Sequence, residues 1–142
     1  MPVRSAEAQW EGSLQDGKGT MRFGSGAFDG QYSFASRFEE GTGTNPEELL
    51  GAAHAGCFSM AFSAALSRAG HTPDRVHSDA RVRLDKVGEG FRITRVELTC
   101  EAVVPGIDDA TFQQIAEGAK QNCPVSQVLA GTEITLQATL SS

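Results

Sequence analysis

Residues 45–70 read NPEELLGAAHAGCFSMAFSAALSRAG, and the fold turns on what this stretch becomes. Asn45 is a good N-cap, Pro46 suits the first helical position, where its missing N–H costs nothing, and Glu48 stands third in a pattern like a capping box. The stretch therefore predicts a helix running to about Ala69, with Gly70 supplying a left-handed stop and Pro73 preventing resumption. Between Glu48 and Arg68 there is almost no charge, so the helix is apolar nearly all round. A surface helix keeps one polar face. In a chain of 142 residues, this one belongs at the centre, packed on every side or against a copy of itself.

On the N-terminal side, EAQWEGSL, TMRF and YSFASRF alternate with glycine turns, QDGKG and GSGAFDGQ. Such a rhythm predicts a three-stranded antiparallel meander. Alternation in YSFASRF would place Arg37 at the end of the third strand, just before the loop EEGTG. On the C-terminal side, ARVRLDKV and FRITRVELTCEAVV alternate as strands, and the phase slips between Ile93 and Val96, where a bulge is expected. From Asp109 to Gln121, Phe112, Ile115, Ala116 and Ala119 recur at helical spacing behind the acidic pair Asp108 and Asp109. ITLQATL closes the chain as a strand with Ile134, Leu136, Ala138 and Leu140 inward. Strands and helices do not alternate regularly, so the class is α+β with mainly antiparallel sheet, in one domain over residues 1–142.

Composition narrows the function. Net charge is −6 with scattered lysines and arginines, which offers no basic footprint for a phosphate backbone, so nucleic acid is not an expected partner. No apolar stretch is expected to reach the roughly 18 residues that cross a bilayer, and the N-terminus lacks the pattern of a signal peptide. A cytoplasmic protein is expected. Three cysteines cannot all pair within one chain, and a reducing cytosol disfavours permanent disulfides.

Cys100 alternates with Val96 and Leu98 in a strand and reads as a small buried hydrophobe. Cys57 lies in the apolar helix, where desolvation raises a thiol's pKa, so reactivity there requires a nearby cation. Cys123 precedes Pro124 where a short helix, PVSQVL, begins; backbone N–H groups there favour a thiolate, and the position reads as more accessible than core.

Taken together, AQWEG, GKGT, RFEEGTGTNPEELLGAAHAGCFSMA, LDKV, VPGID and CPVSQVL make the chain resemble the OsmC branch of the OsmC/Ohr thiol peroxidases along its full length. The resemblance implies an intertwined homodimer, with antiparallel sheets around two central helices and two sites at the interface. It implies a peroxidatic Cys57, a resolving Cys123, and assistance from Arg37 and Glu47. The substrate would be an organic hydroperoxide, with hydrogen peroxide as a second candidate, and a dithiol, with a lipoylated protein as the candidate, would restore the thiols. No cofactor or metal is implied. In such a site Arg37 would stabilise the Cys57 thiolate and donate to the peroxide, and Glu47 would hold the guanidinium by a bidentate pair. Cys123 would displace water from the Cys57 sulfenic acid to give a disulfide.

Glu47 and Cys57 stand ten residues apart on one helix, about 15 Å of rise and not on one face, so a site mixing residues of both subunits is expected. Phe34, Phe38, Phe58, Met60 and Phe62 could wall the thiol for apolar substrates. Bland readings compete: a glutamate in a first helical turn commonly serves the macrodipole, an arginine at a strand end is commonly solvated, and His54, one turn before Cys57, is a packing or hydrogen-bonding residue. Two non-enzymatic alternatives also stand. Cys57, Cys123 and His54 could hold a soft metal in a dimer without turnover, or the dimer could bind a small ligand with incidental thiols.

Overall fold

A computed structural model describes all residues, 1–142, as two units: residues 1–49 and residues 50–142. The first holds β1 (Ala6–Glu11), β2 (Lys18–Phe23) and β3 (Asp29–Tyr32), an antiparallel meander in that order, as its glycine turns require. Trp10 and Tyr32 pack across the middle strand with ring centroids 5.3 Å apart. Between those rings runs Gly19, where an added Cβ would stand 2.5 Å from the Tyr32 ring and 2.6 Å from the Trp10 ring, so only glycine fits.

The strand expected over residues 32–38 stops at Tyr32; Phe34–Phe38 is instead a short helix, α1. The reason is local. Ser33 Oγ accepts from the Ser36 N–H at 3.1 Å and Ser36 Oγ accepts from the Ser33 N–H at 2.8 Å, a reciprocal capping pair that alternation does not register. Arg37 thus sits in the last turn of a helix, not at a strand end.

Helix α2 spans Pro46–Arg68 as its caps predict. Asn45 Oδ1 accepts from the Glu48 N–H at 2.7 Å, whereas the Glu48 carboxylate accepts from the Thr44 hydroxyl at 2.8 Å instead of closing the box. At the other end the Gly70 N–H reaches the Ser67 carbonyl and the His71 N–H reaches the Leu66 carbonyl, a Schellman motif with Gly70 at φ +90°. By length and composition α2 is long and apolar enough to cross a membrane, which corrects the expectation that no stretch reaches that length. The protein core accounts for one side of that hydropathy, since His54, Phe58, Phe62 and Leu66 form a fully buried stripe. Ala52, Ala53, Gly56, Met60 and Ala64 form an exposed one.

In residues 50–142 the sheet order is β4 (Arg75–Val87), β5 (Gly90–Val103), β6 (Glu133–Ser141). Strands β4 and β5 are antiparallel, and the register slips as Arg83 faces Arg95 but Leu84 faces Ile93. The extra residue is Thr94, inside the interval where the phase slip predicts a bulge. Strand β6 runs parallel to β5, the one parallel strand pair beside three antiparallel ones, so the sheets are mainly antiparallel as expected. Two helices, α3 (Asp109–Asn122) and α4 (Pro124–Val128), fill the connection, and a crossover of this kind returns a strand in the same direction. Asp108 caps α3 by accepting from the Thr111 N–H at 3.0 Å.

The core of this unit gathers Phe58, Phe62 and Leu66 of α2, Val96, Leu98, Cys100 and Ala102 of β5, and Phe112, Ala116 and Ala119 of α3. Phe62 lies 5.6 Å from Phe58 and 5.2 Å, edge-on, from Phe112. Burying each such ring contributes about 1.5–3 kcal/mol, enough to fix the rotation of α2.

Candidate active site

Cys57 sits on α2 beside the buried stripe, between His54 and Phe58, and is half-buried; Cys123 sits at the junction of α3 and α4 and is fully buried. The expectation that Cys123 is the more accessible thiol is thereby corrected. Its position before Pro124 does end one helix and begin another, but that junction is packed into the core.

The two thiols, 66 residues apart in sequence, belong to the same core cluster, and each shifts the other's titration. Burial pushes the Cys57 thiol up, and the neighbouring Cys123 pushes it further; the Val125 N–H works in the opposite direction. For Cys123 burial is also the largest influence and is unfavourable to the thiolate. It is outweighed by the Cys57 thiol, the Ser126 N–H and hydroxyl and the Val125 N–H, which together hold Cys123 below the ordinary thiol range. The two protons leave in two steps that belong to the pair, and the first ionisation puts a thiolate beside a second sulfur, the arrangement that thiol–disulfide chemistry uses.

His54 is completely buried, with Nε2 2.7 Å from Ser126 Oγ and Nδ1 without a partner. Burial lowers its pKa, so the ring is neutral at pH 7. Cys100 is buried in β5, its thiol raised by burial, and belongs to the core as its alternation predicts. No three His, Cys, Asp or Glu side chains converge as a metal set, so the soft-metal reading of Cys57, Cys123 and His54 finds no geometry to support it.

In residues 1–49, Arg37 and Glu47 form the bidentate pair the sequence suggests: Nε donates to Oε1 at 3.0 Å and a terminal nitrogen donates to Oε2 at 3.1 Å. Glu47 is buried while the Arg37 side chain keeps 36% of its exposure, so the carboxylate anchors and the guanidinium remains available. Asn45 Nδ2 donates to the Ser36 carbonyl and Ser36 Oγ to the Thr44 carbonyl, tying α1 to the segment that carries Glu47. Arg37 also lies over the Phe38 ring, 5.4 Å from its centroid. Of the five residues expected to wall the thiol, Phe58 and Phe62 are core, and Met60 is exposed. The sequence reading missed Ser126; its signal was the serine within CPVSQVL, two residues into a helix that starts at a cysteine.

A family model described as OsmC-like protein matches residues 39–138. The chain is 53% identical over 140 residues to Peroxiredoxin OsmC of Escherichia coli (strain K12), covering 98% of this chain and 97% of that protein. It is 38% identical over 98 residues to the organic hydroperoxide resistance protein of Xanthomonas axonopodis pv. citri (strain 306), covering 68% and 67%. Among solved structures, the OsmC-like protein of Mycoplasma pneumoniae superposes with a TM-score of 0.77 at 15% identity, covering 99% of both chains. The organic hydroperoxide resistance protein OhrB of Bacillus subtilis does so with 0.68 at 23%, covering 96% and 98%. Matched in sequence over nearly its whole length and in fold over the same span, the chain belongs to the OsmC-like family.

Proposed function

We propose that this protein is a cysteine-based peroxidase that reduces organic hydroperoxides through Cys57 and Cys123. The observation that carries the reading is the thiol pair itself, Cys57 half-buried and Cys123 fully buried in one core cluster, each shifting the other's titration. The name of the half-identical Escherichia coli relative, Peroxiredoxin OsmC, and that of the Xanthomonas hydroperoxide resistance protein support it.

In this mechanism Cys57 attacks one peroxide oxygen as a thiolate, the O–O bond breaks, and the alkoxide leaves and takes up a proton. The product is a Cys57 sulfenic acid. The Cys123 thiolate then attacks the Cys57 sulfur, forming the S–S bond and releasing the hydroxyl as water with one further proton. Arg37 supplies the cation that Cys57 lacks on its own helix, and Glu47 fixes its orientation. The working form is a homodimer in which Arg37 and Glu47 of one subunit serve Cys57 of the other. The exposed apolar stripe on α2 supports a helix-to-helix interface. A dithiol, for which a lipoyl group is suited, restores both thiols, and the reducing cytoplasm is where such a cycle runs.

The test is consumption of cumene hydroperoxide and hydrogen peroxide by pure protein with dithiothreitol. Wild type turns over, Cys57→Ser is inactive, and Cys123→Ser reacts once without forming a disulfide. If wild type consumes neither peroxide and Cys57 remains reduced, the small-ligand dimer becomes the better reading.

A further inference from the structure

We propose that the buried His54–Ser126 hydrogen bond is a positioning device for disulfide closure: it fixes the first turn of α4, and with it Cys123, against the turn of α2 that carries Cys57. The inference deepens the peroxidase reading and rests on its resolving step.

His54 Nε2 lies 2.7 Å from Ser126 Oγ, and both residues are buried. Nδ1 has no partner. With the proton on Nδ1, a buried N–H would lack an acceptor, the more costly arrangement, so Nε2 carries the proton and donates it to the serine oxygen. The bond thus has a direction, from α2 to α4, and it needs a donor at the His54 position.

Helix α4 needs such a tie. It has five residues, Cys123 at its N-cap makes no side-chain cap, and Ser126 is its one buried residue. A helix that short does not hold its own conformation. Val125 and Leu129 pack against the core, but apolar contacts set no direction, whereas a hydrogen bond weakens steeply as its angle closes. Spacing carries this direction to the thiols. His54 stands three residues before Cys57 in α2, and Ser126, at the third position of α4, stands three after Cys123. Residues three apart on a helix share a face, about 5–6 Å from one another, and an N-cap residue stands in the same relation to the third position. One turn forward from His54 and one turn back from Ser126 each arrive at a cysteine. The antiparallel register that joins His54 to Ser126 therefore sets Cys57 against Cys123, and both thiols belong to one core cluster.

Closure is a displacement on sulfur. The Cys123 thiolate bonds to the Cys57 sulfur, the bond from that sulfur to its hydroxyl breaks, and the hydroxyl leaves as water with one proton. Peroxide has already oxidised the Cys57 sulfur, so no further oxidant enters. The attacking sulfur must stand in line with the bond that breaks, so a small rotation of α4 slows closure and leaves the earlier reaction of Cys57 untouched.

Closure can be followed without peroxide. One equivalent of methyl methanethiosulfonate places a methylthio group on Cys57 of the full-length protein, and attack by Cys123 expels methanethiol and leaves the same disulfide. Acid quenching at intervals and peptide mass spectrometry read both steps. In His54→Leu and in Ser126→Ala, closure should slow about fivefold or more, the size that one buried hydrogen bond supplies, while capping of Cys57 stays within about twofold of wild type. His54→Gln, whose amide N–H reaches where the imidazole Nε2–H does, should regain most of the closure rate. A double variant, His54→Leu with Ser126→Ala, should close no slower than the slower single variant, since both remove one bond. A merely loosened fold would slow capping and closure together and would gain nothing from glutamine. Closure at the wild-type rate in Ser126→Ala, equal changes in capping and closure, or glutamine no better than leucine would each overturn the inference. Failure of cumene hydroperoxide to oxidise wild-type Cys57 would instead overturn the peroxidase reading, and the closure rates would still decide the role of His54 and Ser126.

Discussion

Arg37 shows how much one side chain's shape can carry. Its two nitrogens meet both oxygens of Glu47 at 3.0 and 3.1 Å, a fork that lysine cannot reproduce. Arg37→Lys keeps the charge but loses the orientation, and we expect kcat/KM for cumene hydroperoxide to fall about tenfold or more. A lysine variant with near wild-type kcat/KM would show that charge alone suffices. His54 gives a pH-dependent prediction. Burial holds its pKa below the ordinary 6.5, so on acidification the unfolded chain takes up a proton before the folded one does. The stability due to neutral His54 is complete above that ordinary value and declines as pH falls below it. Urea midpoints at pH 7.5 and 5.5 should drop more for wild type than for His54→Gln, and equal drops would contradict the assignment. At this scale the sequence revealed residue types but not exposure. CPVSQVL announces a thiol beside helix N–H groups, yet only the packing of α3 and α4 decides that Cys123 is fully buried and Cys57 only half-buried.

Elements were legible where their signals are local and strong. The caps of α2 are such signals, and each can be weighed. Asn45→Ala removes the acceptor for the Glu48 N–H and should cost about 1 kcal/mol. Gly70→Ala meets no atom within 4 Å, so its cost is purely that of φ +90° for an L residue, also about 1 kcal/mol. Each should lower Tm by about 3 °C in a thermal melt, and an unchanged Tm for Gly70→Ala would mean the helix end relaxes freely. One element escaped the reading, and the direction of another was not in it, each for a physical reason. Alternation in YSFASRF is outweighed by two serine hydroxyls that reach back to the backbone, turning a strand into α1. The direction of β6 depends on the path through α3 and α4, a long-range property that the alternation of ITLQATL cannot encode.

At the scale of the molecule, one helix is asked to serve two surfaces. The stripe of His54, Phe58, Phe62 and Leu66 is consumed by its own unit, while Ala52, Ala53, Gly56 and Ala64 face outward, small enough for another helix to approach closely, with the larger Met60 exposed among them. That division explains why α2 is apolar nearly all round without crossing its own core twice. It also bears on catalysis, since ten helical residues, about 15 Å of rise, separate Glu47 from Cys57 along the chain. If the cation that Cys57 needs comes from a second subunit, two inactive variants should rescue each other. A Cys57→Ser chain retains Arg37 and Glu47, and a Glu47→Ala chain retains both thiols. Co-refolding them in equal amounts yields a mixed dimer in half of the molecules, each with one intact composite site, so about one quarter of wild-type peroxidase activity should return. Activity no higher than that of the separate variants, with mixed dimers verified by differential tagging, would place Arg37, Glu47 and Cys57 of each site on a single chain.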